Sequence, residues 1–254
     1  MISISGVQLW SSDGSSLLCF MDLASMMVSE YTDSDSSHLR CKCITADGEN
    51  IFVGDSMGGI TCIVEKQSAF SASSHLHTPS SSSTAESIGI TCIHASEGIL
   101  VSGNEQGEVL CYRNCPPYEL LCRFQSGGFI TTSICCTRGI VLAAYSCGHL
   151  RIFRISLEPS GVCELAVELA AHSRCINAVV LHPANNIFAT CSDDSMMHVW
   201  ELPSIVPKTK SDMRLIFTEN ISNRLLTGIS FFHDGKLGVL AYDDGNMHLF
   251  EPAL

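Results

Sequence analysis

Six times along the chain a small residue opens a short alternating run that closes on a bulky apolar side chain. The full copies span Gly58–Ile63 (GGITCI), Gly107–Tyr112 (GEVLCY), Gly148–Phe153 (GHLRIF), Ser195–Trp200 (SMMHVW) and Gly245–Phe250 (GNMHLF), and a shortened copy spans Gly6–Trp10 (GVQLW). The closing residues stand 53, 49, 41, 47 and 50 positions apart. A period of this length fits one antiparallel four-stranded sheet with its turns. A chain that repeats such a unit must bury each sheet against the next.

The content of each unit agrees. Ahead of each small residue lies a short apolar run, NIFVGD, GILVSG, GIVLAAY, NIFATC or KLGVLAY, followed by two to four turn residues, which is the pattern of a hairpin. Further upstream stands another run, RCKCITA, IGITCIHA, FITTSICC, CINAVVLH or LLTGISFF. Period-two alternation with β-branched residues recurs throughout and no helical period appears, so the chain is all-β. Weaker fourth strands are expected near Leu17–Asp22, Glu119–Phe124, Cys163–Leu169 and Met213–Glu219. Where the second unit needs its fourth strand the sequence is mostly serine, and a flexible loop over 71–87 is predicted instead. The units run about 1–38 (partial), 39–87, 88–127, 128–172, 173–223 and 224–254 (partial) within a single domain.

Within AAHSRCINAVVLHPANNIFATCSDDSMMHVWEL, His172 precedes the first strand, Thr190 lies in the second, Asp194 in the hairpin turn and Trp200 in the third. This stretch resembles a unit of the WD-repeat family. The succession of units, including SGGFITTSICCTRGIVLAAYSCGHLRIF and GISFFHDGKLGVLAYDDGNMHLF, is similar to members of that family over nearly the whole chain. The resemblance implies a β-propeller of four-stranded antiparallel blades. It further implies that His172, Thr190, Asp194 and Trp200 form a structural hydrogen-bond tetrad, and that the chain is a non-catalytic scaffold binding other proteins through its rims. Departures are clear: Gln106 and Cys147 stand at the aspartate position of two units, and the last unit has Leu240 and Phe250 where threonine and tryptophan would be. Family members have a longer amino-terminal portion, so about five to six blades and an incomplete ring of a seven-bladed propeller are expected. The two partial units would contribute five strands between them. A truncated sequence, a strained six-bladed ring and recruitment of another chain all stay open, and open blade edges would offer self-association.

Charge and composition narrow the function classes. Lys and Arg number 14 against 26 Asp and Glu, a net charge of -12, so a nucleic-acid backbone would be repelled. No apolar run approaches the length of a membrane span. The 14 cysteines lie largely in apolar stretches, where a free thiol acts as a small hydrophobe, and this suggests a reducing, cytoplasmic setting. No Cys-x-x-Cys or His-x-x-x-His spacing supports a metal, and no cofactor is expected. Thr190, His172 and Asp194 match the residue types of a hydrolytic triad, but an apolar strand would shield the hydroxyl. The alternative function is a propeller-type hydrolase or lactonase with a metal in the central channel; against it, the acidic residues do not recur at inner-strand starts. Glu105, Asp193 and Asp243 instead fall one residue before the hairpin-turn position, on one rim, where they would meet a basic partner segment. Arg174 would share that rim as an anchor for an acidic or aromatic group.

Overall fold

The computed structural model describes residues 6–10, 17–22, 28–30, 41–48, 50–66, 69–77, 88–125, 127–155, 163–202, 213–232, 234–242 and 244–252. Among these residues the regular structure is all strand, in antiparallel sheets whose neighbours are consecutive in sequence. The first sheet has three strands, β1 (Gly6–Trp10), β2 (Leu17–Asp22) and β3 (Val28–Glu30). Four sheets of four follow. They comprise β4 (Cys41–Asp47), β5 (Asn50–Asp55), β6 (Gly59–Lys66) and β7 (Ala69–His77); β8 (Ile90–Ser96), β9 (Ile99–Asn104), β10 (Val109–Arg113) and β11 (Leu120–Phe124); β12 (Thr131–Thr137), β13 (Ile140–Tyr145), β14 (His149–Ile155) and β15 (Cys163–Ala170); and β16 (Ile176–Leu181), β17 (Ile187–Ser192), β18 (Met196–Glu201) and β19 (Leu215–Asn220). The last sheet is β20 (Leu226–Phe231), β21 (Leu237–Ala241) and β22 (His248–Phe250).

Every residue of β9, β13 and β17 is buried, because the second strand of a sheet is covered on both faces. Alternation then divides the side chains between two neighbours. In β13, Val141, Ala143 and Tyr145 pack towards β8–β11, while Ile140, Leu142 and Ala144 pack towards β16–β19. Phe188 of β17 faces back towards β12–β15, and Ile187, Ala189 and Cys191 face forward towards β20–β21. Each large side chain so covered contributes about 1.5–3 kcal/mol. The fourth strands β11, β15 and β19 are partly exposed.

The first strands of successive sheets pack in series, β4 on β8, β8 on β12, β12 on β16 and β16 on β20. Each carries a bulge at its second residue, where the register skips Lys42, Thr91, Thr132, Asn177 and Thr227. A bulge re-aims the residue that loses its cross-strand partner. Here it turns three of these side chains onto the next sheet. Thr91 Oγ1 donates to the Thr131 carbonyl at 2.5 Å, Thr132 Oγ1 to the Ile176 carbonyl at 2.5 Å, and Asn177 Nδ2 to the Leu226 carbonyl at 2.8 Å. A second bulge recurs between the third and fourth strands of the four-stranded sheets, beside Ile63, Tyr112, Phe153 and Trp200, and between β1 and β2 beside Trp10; these are the bulky residues that close the sequence motif.

Neighbouring sheets approach closely at the penultimate residue of the second strand. A Cβ on Gly103 would stand 2.5 Å from Thr131 Cγ2 and 2.7 Å from Cys92 Sγ, and one on Gly54 would stand 2.6 Å from Ile90 Cγ2. Glycine is what lets β12 and β8 settle at those distances.

Three features differ from the sequence-based expectation. Residues 69–77 form β7, so the predicted loop over 71–87 is a strand as far as His77; residues 78–87 lie outside the described residues. The serine run hides this strand because its bulge, at Ser73, interrupts the alternation that would reveal it. Leu76 is nevertheless buried in the core shared with β8–β10. The first sheet also has a third strand, β3, antiparallel to β2, where no strand was expected. Finally, Cys122 and Cys163 are joined by a disulfide, where most of the cysteines were expected as free thiols.

Candidate functional site

The hairpin turns between second and third strands gather the chemistry-bearing side chains. At four of these turns the pivot residue takes the left-handed conformation, with φ of 86° at Gly58, 80° at Gly107, 84° at Gly148 and 67° at Ser195. That requirement explains glycine in three units. In the fourth, the Ser195 hydroxyl is engaged with the next unit, donating to the Arg224 carbonyl at 2.7 Å and accepting from the Arg224 amide at 3.2 Å.

In four of the turns a side-chain oxygen accepts backbone amides, and different units supply it from different positions. Asp194 Oδ1 accepts from the Met196 amide at 3.0 Å, and Asp244 Oδ1 from the Asn246 amide at 3.0 Å. Where Gln106 replaces the turn aspartate, Asn104 Oδ1 takes the Gln106 and Glu108 amides at 3.0 and 2.9 Å. Asp55 does the same for Met57 and Gly59 at 2.7 and 2.8 Å. Sequence reasoning missed Asp55 and Asn104; the dipeptides Gly54-Asp55 and Gly103-Asn104 ahead of each turn were the available signal.

His172, Thr190, Asp194 and Trp200 form one continuous hydrogen-bonded chain. Trp200 Nε1 donates to Thr190 Oγ1 at 3.2 Å, Thr190 Oγ1 and His172 Nε2 are 2.9 Å apart, and His172 Nδ1 lies 3.2 Å from both Asp194 carboxylate oxygens. The Asp194 carboxylate can only accept, so His172 carries its hydrogen on Nδ1; in the neutral ring Nε2 then accepts from the Thr190 hydroxyl, which itself accepts from the indole. Burial pushes His172 below the usual histidine range, more than Asp194 pulls it back up. For Asp194 burial pushes upward, but the Ser173 amide, His172 and the Met196 amide together outweigh it, and the carboxylate lies below its usual range. His198 stacks on His172 with ring centroids 4.4 Å apart and is pushed down to about 4 by burial and then by His172, with Asp194 opposing.

The nucleophile–base–acid order is therefore present, yet it has no route to a substrate. Thr190 is 0% exposed and its hydroxyl is already shared between the indole and the imidazole. A reacting group must lie within about 3 Å of the nucleophile, which this packing forbids.

Other units lock the same region with different residues. Glu108, only 5% exposed, accepts from Asn104 Nδ2 at 3.0 Å and from Arg123 Nη2 at 3.1 Å. Glu168 is held by His149 Nδ1 at 2.6 Å and Arg151 Nε at 3.4 Å, and Asp244 by His248 Nε2 at 2.9 Å and Arg224 Nη2 at 3.6 Å. His149 and His198 thus serve separate strand-to-strand pairs, with His198 Nδ1 2.8 Å from Thr218 Oγ1, while His248 ties β22 to its own hairpin turn.

Of the rim residues, Glu105 and Arg174 are exposed. Asp193 is half-buried, its Oδ1 accepting from Asn177 Nδ2 at 2.6 Å, so it braces the bulged end of β16. Asp243 lies outside the described residues.

Residues 1–251 match the profile of the WDR54 family. The chain belongs to the WDR54 family. It is 26% identical over 146 residues to WD repeat domain 54 of Rattus norvegicus, a match covering 57% of this chain and 42% of the relative. It is 27% identical over 132 residues to WD repeat-containing protein 54 of Mus musculus, covering 52% of this chain and 38% of the relative. The chain thus spans about two fifths of the length of the curated relatives it matches. Among solved structures it is similar to the computationally designed Ika8 protein, with a TM-score of 0.73 and 16% identity over 99% of this chain and 69% of that one. The β-propeller domain of Myceliophteria thermophila Cps50 (Swd1) gives 0.71 and 12% over 99% and 84%, and Saccharomyces cerevisiae Sqt1 gives 0.63 and 13% over 87% and 65%. The fold of this WDR54-family chain is a WD-repeat β-propeller, and its family and fold support a protein-interaction scaffold in general terms.

Proposed function

We propose that this chain is a non-catalytic scaffold whose hairpin-turn rim recognises a protein segment carrying basic residues. The observation that carries this reading is the division of labour at the rim. The tetrad and the turn-capping oxygens are consumed in holding the blade, whereas Glu105 and Arg174 stand exposed beside them. With a net charge of -12 the surroundings reinforce an attraction for basic segments. Exposed rim charges set association rate and partner choice more than total affinity. Glu105, Asp193 and Asp243 are the acidic contacts in this reading and Arg174 the anchor for an acidic or aromatic group, and the chain works in the cytoplasm.

The test is affinity capture with the purified chain and with Glu105→Lys and Arg174→Glu variants, each first checked for an unchanged melting temperature. Proteins retained by the parent should be lost or weakened several-fold in the variants. Retention unaffected by either variant at low salt would rule out this rim. A fluorescent fusion that concentrates outside the cytoplasm would rule out the location. Self-association is also part of the reading, because the last sheet exposes Leu240 (49%), Leu249 (59%) and Tyr242 (81%). Sedimentation showing monomer alone at high concentration would remove it.

A further inference from the structure

Cys111 of β10 and Cys122 of β11 are register partners, and Cys163 opens β15, the fourth strand of the next sheet. Their three sulfurs lie within 4.8 Å of one another. Cys122 and Cys163 are bonded, with Cα atoms 6.2 Å apart, a spacing ordinary for a disulfide. The surroundings are apolar, with Phe124 and Phe153 stacked at 4.1 Å and Val109 and Ile155 in the same core. We propose that Cys122 and Cys163 form a reversible staple between two neighbouring blades, closed by a low-molecular-weight disulfide of the glutathione class and opened by the corresponding thiol.

Accessibility selects the pair. Cys122 and Cys163 are half-buried, so a small disulfide reaches them, whereas Cys111 is 0% exposed. Burial also holds the Cys111 thiol well above its usual range, which keeps it protonated and out of the exchange. The same burial disfavours a soft metal ion on the three sulfurs, since coordination needs thiolates in an apolar pocket, whereas a disulfide is neutral.

The exchange balances. The thiolate of one cysteine attacks the small disulfide and expels one small thiolate, leaving a mixed disulfide on the protein. The second cysteine, as thiolate, attacks the protein sulfur of that bond and expels the other. Two protein thiols and one small disulfide become one protein disulfide and two small thiols; two electrons pass to the small disulfide, and the two thiol protons end on the leaving groups. The closed bond encloses β12, β13 and β14 and ties β11 to β15, outer strands of neighbouring sheets that make little other contact.

The full chain is to be equilibrated over graded ratios of reduced to oxidised glutathione, quenched with an alkylating agent, mapped by peptide mass and melted in parallel. Cys122 and Cys163 should pass together from alkylated to linked in one two-electron step. The melting temperature should rise with the linkage, with the rise abolished in Cys163→Ser and kept in Cys115→Ser, whose residue is exposed. The mapping of the parent chain needs no variant, so poor folding of Cys163→Ser does not blunt the test. Absence of linkage at every ratio, linkage that persists at every ratio, or a bond through Cys111 each overturns the proposal. So does binding of Cd2+ by the reduced chain with a thiolate absorbance lost in Cys111→Ser.

Discussion

Replacing Thr190 by valine isolates the tetrad from the packing around it. Valine keeps the branched shape, so the side chain still fills its place beside Trp200 and His172, but the hydroxyl that joins indole to imidazole is gone. Two buried groups then lose their partners, the Trp200 N–H and the His172 Nε2 lone pair. Each orphaned group costs about 1–3 kcal/mol, and the added methyl returns about 1, so the net loss is about 1–5 kcal/mol. Thr190→Ser provides the control: it keeps the hydroxyl and deletes one methyl, costing about 1 kcal/mol. Guanidinium unfolding followed by tryptophan emission suits the measurement, because the chain has 2 tryptophans and one of them is in the tetrad. The expected order is parent, then serine, then valine. Adding Trp200→Phe to Thr190→Val should cost much less than the sum of the separate losses, because the two residues share one interaction. A valine variant as stable as the serine variant would refute the reasoning.

Glu108→Gln should destabilise by about 1–3 kcal/mol by leaving Arg123 opposite a neutral, buried partner, measured by the same unfolding curves. Gly103→Ala should cost about 1–3 kcal/mol through overpacking against Thr131 and Cys92, while Gly98→Ala, where a Cβ meets nothing but the backbone is left-handed, tests conformation without crowding. Acid should weaken the blade: His172 and His198 have folded values below the ordinary 6.5, so the unfolded chain takes up protons first. Their contribution is complete above pH 6.5 and is lost as pH falls towards about 4 for His198. For that half-exposed ring the loss is about 1–2 kcal/mol after allowance for solvent screening, and His198→Asn should flatten the slope of melting temperature against pH.

How much of this was legible in the sequence depended on whether a feature repeats with its residue type. The second strands were readable because burial on both faces makes them continuous apolar runs such as IVLAAY, and the hairpins because a left-handed pivot favours glycine. The tetrad was readable because His172, Thr190, Asp194 and Trp200 stand where the resemblance to a WD-repeat unit assigns such a chain. β7 was not, since its serines and its bulge at Ser73 erase the alternation. Nor were Thr91, Thr132 and Asn177, whose roles come from bulges that composition does not announce. The locks at Glu108 and Glu168 escaped for another reason. Each unit meets the same need for buried polar partners with different side chains, so nothing recurs for a sequence comparison to find.

The central claim is that the polar residues of the turns hold the blade while the exposed charges beside them choose partners. Capture measured side by side for Glu105→Lys and Thr190→Ser tests it most directly, with unfolding curves for both. The account predicts that Glu105→Lys keeps the parent's stability and loses bound protein, and that Thr190→Ser loses stability and keeps bound protein. Full retention of every partner by a well-folded Glu105→Lys and Arg174→Glu double variant would contradict it.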